Sequence, residues 1–235
     1  VQEGDEHRAY CARVAQRVAE ARDRIADARS RGGHGQEVTL IAVTKTHGPE
    51  AVEAAFAAGV HDVGENRVQE AEAKRPLTSA PVRWHLIGHL QRNKARNALA
   101  FDLIHSLDSE RLAVALHEAA AAASTTARVL VQLNVSGEES KFGLAPQTLD
   151  RFAEQLHALS SLTVQGVMTM APFDAEPALL HRIFRATREC AAQLRAAGHD
   201  ARVISMGMSG DYEIAVEEGA THVRLGTILF GERGT

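Results

Sequence analysis

Val38-Thr39-Leu40-Ile41-Ala42-Val43-Thr44-Lys45 is the stretch on which the fold and the chemistry turn. It is apolar and β-branched, bounded by glycine-rich residues 31–35 before it and His47-Gly48-Pro49 after it, so it reads as a buried strand. The lysine at its C-terminal end is out of character. Burying an ammonium is costly unless it is paired or neutralised. Two readings of Lys45 stand at this point. Its amine snorkels to water, or it is a desolvated amine that loses its proton readily and forms a Schiff base with an aldehyde.

Outward from this strand the pattern repeats. Downstream strands are predicted at 61–64, 82–87, 102–107, 128–135, 162–168, 201–205 and 221–225. Between them lie helical patterns at 49–58, 65–74, 91–98, 109–123, 146–159, 176–197 and 211–218, and a short helix opens at Thr227. Gly59, Gly198 and Gly219 punctuate three of the helix-to-strand junctions. Regular alternation with short loops calls for a parallel sheet with right-handed crossovers. Eight such units in about 200–250 residues point to a closed (β/α)8 TIM barrel rather than an open sheet.

The barrel is expected to occupy 38–231. It is preceded by an extra amphipathic helix over 5–30, with Tyr10, Val14, Val18 and Ile25 on one face. Acidic residues are interspersed on its Arg-rich face, which therefore reads as solvated. No linker or composition break divides residues 1–235, and a single α/β domain is expected.

Bulk properties narrow the function. The 235 residues are 45% hydrophobic but only 4% aromatic, so the core must be aliphatic, and the net charge of −4 with scattered cations leaves no nucleic-acid footprint. Cys11 and Cys190 give no disulfide framework and suit a reducing cytosol. There is no apolar h-region and no run near the ~20 residues of a membrane span. Val1 in place of Met suggests a trimmed start. A cytoplasmic protein with no membrane partner is expected.

Barrels carry their chemistry at the C-terminal ends of the strands. That rule gathers Lys45, Asn66, His85, Asn134 with Ser136, Met168, Met170, the run Ser205-Met206-Gly207-Met208-Ser209-Gly210, and Arg224-Leu225-Gly226-Thr227. The loops after strands 7 and 8 are where barrels frequently hold phosphate. Gly207 to Gly210 and Gly226-Thr227 let backbone N–H groups approach an anion, with hydroxyls from Ser209 and Thr227. Two ordinary glycine-rich turns remain the alternative.

An imine-forming lysine facing a phosphate cradle suggests pyridoxal 5′-phosphate (PLP), with Arg224 placed to meet the ring nitrogen. Guanidinium only donates and is always charged. It would leave that nitrogen unprotonated and the ring a weak electron sink.

The segments 42–46 (AVTKT), 64–66 (GEN), 84–94 (WHLIGHLQRNK), 205–209 (SMGMS) and 223–231 (VRLGTILFG) together resemble the YggS/PROSC family, the pyridoxal phosphate homeostasis proteins. The likeness runs from about Val38 to Gly231. His89 and Arg92 sit where other members often differ. The resemblance implies an alanine-racemase-like barrel with the cofactor on Lys45. It also implies Arg224 at the ring nitrogen, Ser209, Gly226 and Thr227 at the phosphate, and Asn66 and His85 close by.

It implies a binding protein that buffers PLP or passes it to apo PLP-dependent enzymes without turnover. A monomer is expected. The alternative is a PLP-dependent amino-acid racemase. Against it, the only tyrosines are Tyr10 and Tyr212, so a second base is lacking. A barrel forming aldolase-type Schiff bases with substrate carbonyls is a third reading.

Other features carry less. His85 and His89 are four residues apart, but no glutamate follows His85, and no metal site is expected. Arg92, Lys94 and Arg96 read as a solvated helix face. The polar loop 136–143 is either a lid or a docking surface, and Glu65 falls near the mouth with no role assigned.

Overall fold

A computed structural model describes residues 2–138 and 141–231. Its strands are β1 (Thr39–Val43), β2 (Asp62–Glu65), β3 (Arg83–Leu86), β4 (Leu103–Leu107), β5 (Ala127–Leu133), β6 (Leu162–Thr169), β7 (Val203–Ser205) and β8 (His222–Leu225). They close in sequence order into a barrel. Every pairing is parallel, and β1 joins β8 with Ile41 opposite Arg224.

The helices are α1 (Gln2–Gly32), α2 (Pro49–Ala57), α3 (Val68–Lys74), α4 (Ala95–Ala98), α5 (Glu110–Ala122), α6 (Leu149–Leu156), α7 (Pro177–Ala196), α8 (Tyr212–Glu217) and α9 (Thr227–Phe230). The predicted helices at 91–98 and 146–159 each begin instead with a 3-10 turn, over Arg92–Lys94 and Pro146–Thr148. Pro146 supplies no N–H and suits a first turn.

The additional helix α1 buries Val14, Val18, Ala21, Ile25 and Ala28 against α2, α8 and α9. Its basic residues reach outward to the barrel's helices. Arg22 donates to the Gly59 carbonyl at 2.7 Å, Arg17 to the Leu229 carbonyl at 3.2 Å and Arg31 to Glu217 at 2.6 Å.

Outward strand residues and inward helix faces make the aliphatic main core. Inside the barrel the filling is divided. Leu103, Leu130 and Met168 form a separate apolar cluster. Asp62, His85, His105, Ser205 and Arg224 are buried polar residues of β2, β3, β4, β7 and β8.

One glycine is demanded by this closure. The β5–β6 register shifts between Val129 and Leu130, and Gly166 follows the shift with φ +155°. A Cβ there would fall on the Val203 carbonyl of β7. Gly166→Ala is expected to destabilise the barrel by about 1–3 kcal/mol or more through overpacking and backbone strain. A melting temperature unchanged from wild type would contradict this.

Candidate functional site

The site begins at the turn after β1. Thr44 and Lys45 follow the strand, and Thr46 takes φ +66°, a left-handed conformation that is costly for a β-branched residue. A buried ionic cluster holds this turn. Lys74 of α3 donates to the Thr44 carbonyl at 2.6 Å, to Glu65 at 2.7 Å and to Glu70 at 3.1 Å. Thr44 Oγ1 donates to Glu65 at 2.5 Å, and the Thr46 N–H donates to Glu70.

Glu65 is wholly buried. Burial raises its carboxyl above the ordinary range against the hydrogen bonds from Lys74 and Thr44. Glu65 therefore does not serve the mouth, where the sequence put it. It faces α3 and braces the turn that carries Lys45.

Above the strands' C-terminal ends lies a cavity of about 550 Å³. Lys45, Asn66, Ser209, Arg224, Gly226 and Thr227 all line it. Arg224 is the buried cation of this group. Its Nη1 donates to Ser205 Oγ at 2.6 Å and its Nη2 to the Thr169 carbonyl at 2.8 Å. Burial lowers its pKa to about 10, with Asp211 opposing the shift. The guanidinium is thus fixed from behind by two acceptors while it forms part of the cavity wall.

Several expected residues lie elsewhere. His85 is not among the cavity-lining residues. It sits inside the barrel, with Nε2 2.9 Å from Asp62 Oδ1 and Nδ1 2.9 Å from His105 Nε2. Met168 is buried in the interior apolar cluster, whereas Met170 reaches the cavity. Asn134 instead organises the loop after β5: its Nδ2 donates to the Glu138 carbonyl at 2.8 Å, and its Oδ1 accepts from the Gly137 N–H at 3.1 Å. In the loop 136–143, Glu139 and Ser140 lie outside the described residues.

Gly207 is required by packing. It has φ +92°, and a Cβ there would press on Ala215 at 2.7 Å. The Met208 N–H is taken by the Asp211 carboxylate at 2.6 Å.

The sequence reading missed part of the wall. His89 donates from Nδ1 to Asp108 at 3.1 Å and stacks on Phe142 with ring centroids 3.9 Å apart. Gln132 lines the cavity and donates to the Phe142 carbonyl at 3.1 Å. Phe173 stands 93% exposed at the rim. Strand alternation could have found Gln132, but nothing in a polar loop marks Phe142 as part of a cavity.

Neither Tyr10 nor Tyr212 lines the cavity. Among the described residues no group of three or more His, Cys, Asp or Glu side chains could hold a metal ion.

The alanine racemase N-terminal domain family matches residues 17–234. The chain is 42% identical over 223 residues to the pyridoxal phosphate homeostasis protein of Pseudomonas aeruginosa, covering 94% of this chain and 96% of that one. It is 39% identical over 222 residues to the protein of the same name in Aquifex aeolicus, covering 93% and 97%.

PipY of Synechococcus elongatus, solved with PLP bound, matches with a TM-score of 0.82 and 37% identity over 93% of this chain and 100% of PipY. Alanine racemase from Streptomyces lavendulae matches with a TM-score of 0.77 over 96% of this chain and 58% of the racemase. Its 21% identity speaks for a shared fold alone.

Proposed function

This chain belongs to the pyridoxal phosphate homeostasis protein family and carries its alanine-racemase-type barrel, and from that premise we propose that it holds PLP on Lys45, buffers it, and delivers it to apo-enzymes. The observation that carries the reading is the convergence of Lys45 and the buried Arg224 guanidinium on one cavity. The relative PipY, solved with PLP bound, supports it.

When bound, the cofactor supplies an aldehyde with which an amine condenses to a Schiff base. Lys45 is the amine assigned here. The braced turn presents it, with the backbone on either side already held. Arg224 offers N–H donors to the ring nitrogen and no proton to give up. Ser209 and Thr227 offer hydroxyls, and with Gly226 they offer backbone N–H groups to the phosphate; Thr227 opens a helix, whose first N–H groups have no intrahelical partner. Asn66 lines the wall beside Lys45.

The same residues argue against turnover. An arginine at the ring nitrogen gives a weak electron sink, and no tyrosine of the chain lines the cavity to act as a second base. The reading also takes the barrel as one domain acting alone in the cytoplasm. No described helix is long and apolar enough to cross a membrane. Cys11 and Cys190 are free thiols, and burial raises Cys190 to about 11, which makes it inert.

Two measurements test the proposal. The visible band of the PLP-loaded protein should decay when an apo PLP-dependent enzyme is added, in step with recovery of that enzyme's activity. Solvent deuterium should not enter the α-position of common amino acids at rates near the ~1 per second of a slow ordinary enzyme. Exchange at or above that rate would make the protein a racemase instead.

A further inference from the structure

The buried polar residues inside the barrel form one continuous chain. Arg224 Nη1 lies 2.6 Å from Ser205 Oγ, Ser205 Oγ 3.0 Å from His105 Nδ1, His105 Nε2 2.9 Å from His85 Nδ1, and His85 Nε2 2.9 Å from Asp62 Oδ1. At the far end Arg83 clamps Asp62 with Nε at 2.7 Å and Nη2 at 2.6 Å. The chain passes from the cavity to the N-terminal end of the barrel, across β8, β7, β4, β3 and β2.

Counting donors fixes its direction. Arginine only donates, so Ser205 Oγ accepts from Arg224. The serine proton then needs an acceptor, and His105 Nδ1 is its other partner. His105 therefore accepts at Nδ1 and carries its proton on Nε2, which it donates to His85 Nδ1. His85 in turn donates from Nε2 to the Asp62 carboxylate. Every donor meets an acceptor with both rings singly protonated. The reverse order would strand the serine proton in the interior, where an unsatisfied polar group is costly.

Burial first, and the Arg224 guanidinium with it, holds His105 well below the usual imidazole range, in keeping with a neutral ring. Burial alone would raise Asp62, but hydrogen bonds from His85 and Arg83 outweigh it and keep this carboxyl well below the usual range, as an anion. His222, the other imidazole beside the chain, has its pKa lowered to about 4, first by burial. Asp211, a cavity-lining carboxylate, opposes the lowering at Arg224.

We propose that Ser205, His105, His85 and Asp62 are positioning residues: a one-way hydrogen-bond chain, anchored on Asp62, that aims the Arg224 guanidinium at the ring-nitrogen position of the cofactor. The assignment of a cofactor to Arg224 rests on the function proposed above. The direction of the chain does not, because it follows from protein groups alone. The chain also gives His85 a role that its place outside the cavity would otherwise deny it. It acts on the site through His105, Ser205 and Arg224, three residues removed from the ligand.

Histidine tautomers can be read directly. Long-range proton–nitrogen NMR spectra of ligand-free, nitrogen-labelled protein at neutral pH should show His105 and His85 protonated on Nε2 and bare on Nδ1. Ser205→Ala removes the acceptor for Arg224 and the donor to His105. It should weaken PLP binding about tenfold, the range of one hydrogen bond to a charged group. Ser205→Thr keeps the hydroxyl and should restore binding.

A proton on His105 Nδ1, or wild-type PLP affinity in a folded Ser205→Ala protein, would overturn the proposal. Should Ser205→Ala not fold, the wild-type tautomers decide. Wild-type protein with the expected tautomers that took up no PLP would remove the cofactor reading, and with it the aim of the chain, while leaving the hydrogen-bond direction standing.

Discussion

Lys45→Ala should leave a folded protein that no longer retains PLP through dialysis and has lost the visible band of the cofactor-loaded form. Covalent attachment is the largest single term in the proposed binding. The remaining contacts are a guanidinium at the ring nitrogen and hydroxyls and N–H groups at the phosphate, all of which compete with water. A fall in affinity of at least about a hundredfold, or about 2.7 kcal/mol, is expected.

Stability of the empty barrel should change little, because Thr44, Thr46, Glu65, Glu70 and Lys74 hold the turn through groups other than the Lys45 side chain. Lys45→Arg keeps the positive charge without an amine that can condense, and should fail in the same way. Borohydride reduction of the loaded wild type, followed by peptide mapping, should find a pyridoxyl group on Lys45. Lys74 is the informative control, since it is a second lysine close to the same turn whose ammonium is already committed to Thr44, Glu65 and Glu70. A pyridoxyl group on Lys74, or a chromophore that survives Lys45→Ala, would refute the assignment. A substrate fragment on Lys45 in place of pyridoxyl would turn the protein into an aldolase-type catalyst.

The barrel could be read from the chain because each level of the sequence agreed with the next. β-Branched runs such as Val38–Val43 and 128–135 recur between helical patterns, with glycine at the junctions, and eight of them in this length point to a closed parallel sheet. The mouth followed from one topological rule, which is why Lys45, Asn66, Ser209, Arg224, Gly226 and Thr227 could be named without coordinates.

Depth along the strands was not legible. His85 and Met168 lie on predicted strands, but a strand's last turn of side chains and its interior ones differ by one alternation, and strand ends read from sequence are uncertain by that much. Asn134 has the polarity of a site residue and spends it on its own loop. Asp62, His85, His105 and Ser205 stand on four different strands. Only the closure and its registers bring them into one chain, so no local pattern could announce them. Glu65 and Lys74 are likewise nine residues apart in sequence, and nothing there says that Glu65 faces α3 rather than the cavity.

Lys74→Met should be the most destabilising polar substitution near the site. Its ammonium is nearly buried and neutralises Glu65, which has no exposure at all. Removing one partner of a buried pair strands the other, at a cost of about 3–5 kcal/mol. For a chain of this size that lowers the melting temperature by roughly 6–20 °C.

The loss should depend on pH, and its sign is fixed by Glu65. Burial already raises this carboxyl in the folded protein. Without Lys74 it rises further, so the folded state binds a proton that the unfolded chain, with a carboxyl near about 4.3, has released. A raised folded pKa contributes stability below the unfolded value and loses it as pH rises through the folded one. Lys74→Met should therefore lie closest to wild type near pH 4 and fall furthest behind above neutrality.

Adding Glu65→Gln removes the stranded charge and keeps an acceptor for Thr44 Oγ1. The double variant should recover most of the stability and lose the pH dependence, a coupling that a double-mutant cycle reads directly. It should not recover the turn, because the Thr44 carbonyl and Glu70 have still lost their ammonium while Thr46 keeps its left-handed backbone. PLP uptake should stay slower than in wild type. A single variant that costs less than about 1 kcal/mol at all pH values would show that the cluster neither stabilises the barrel nor holds Lys45 in place.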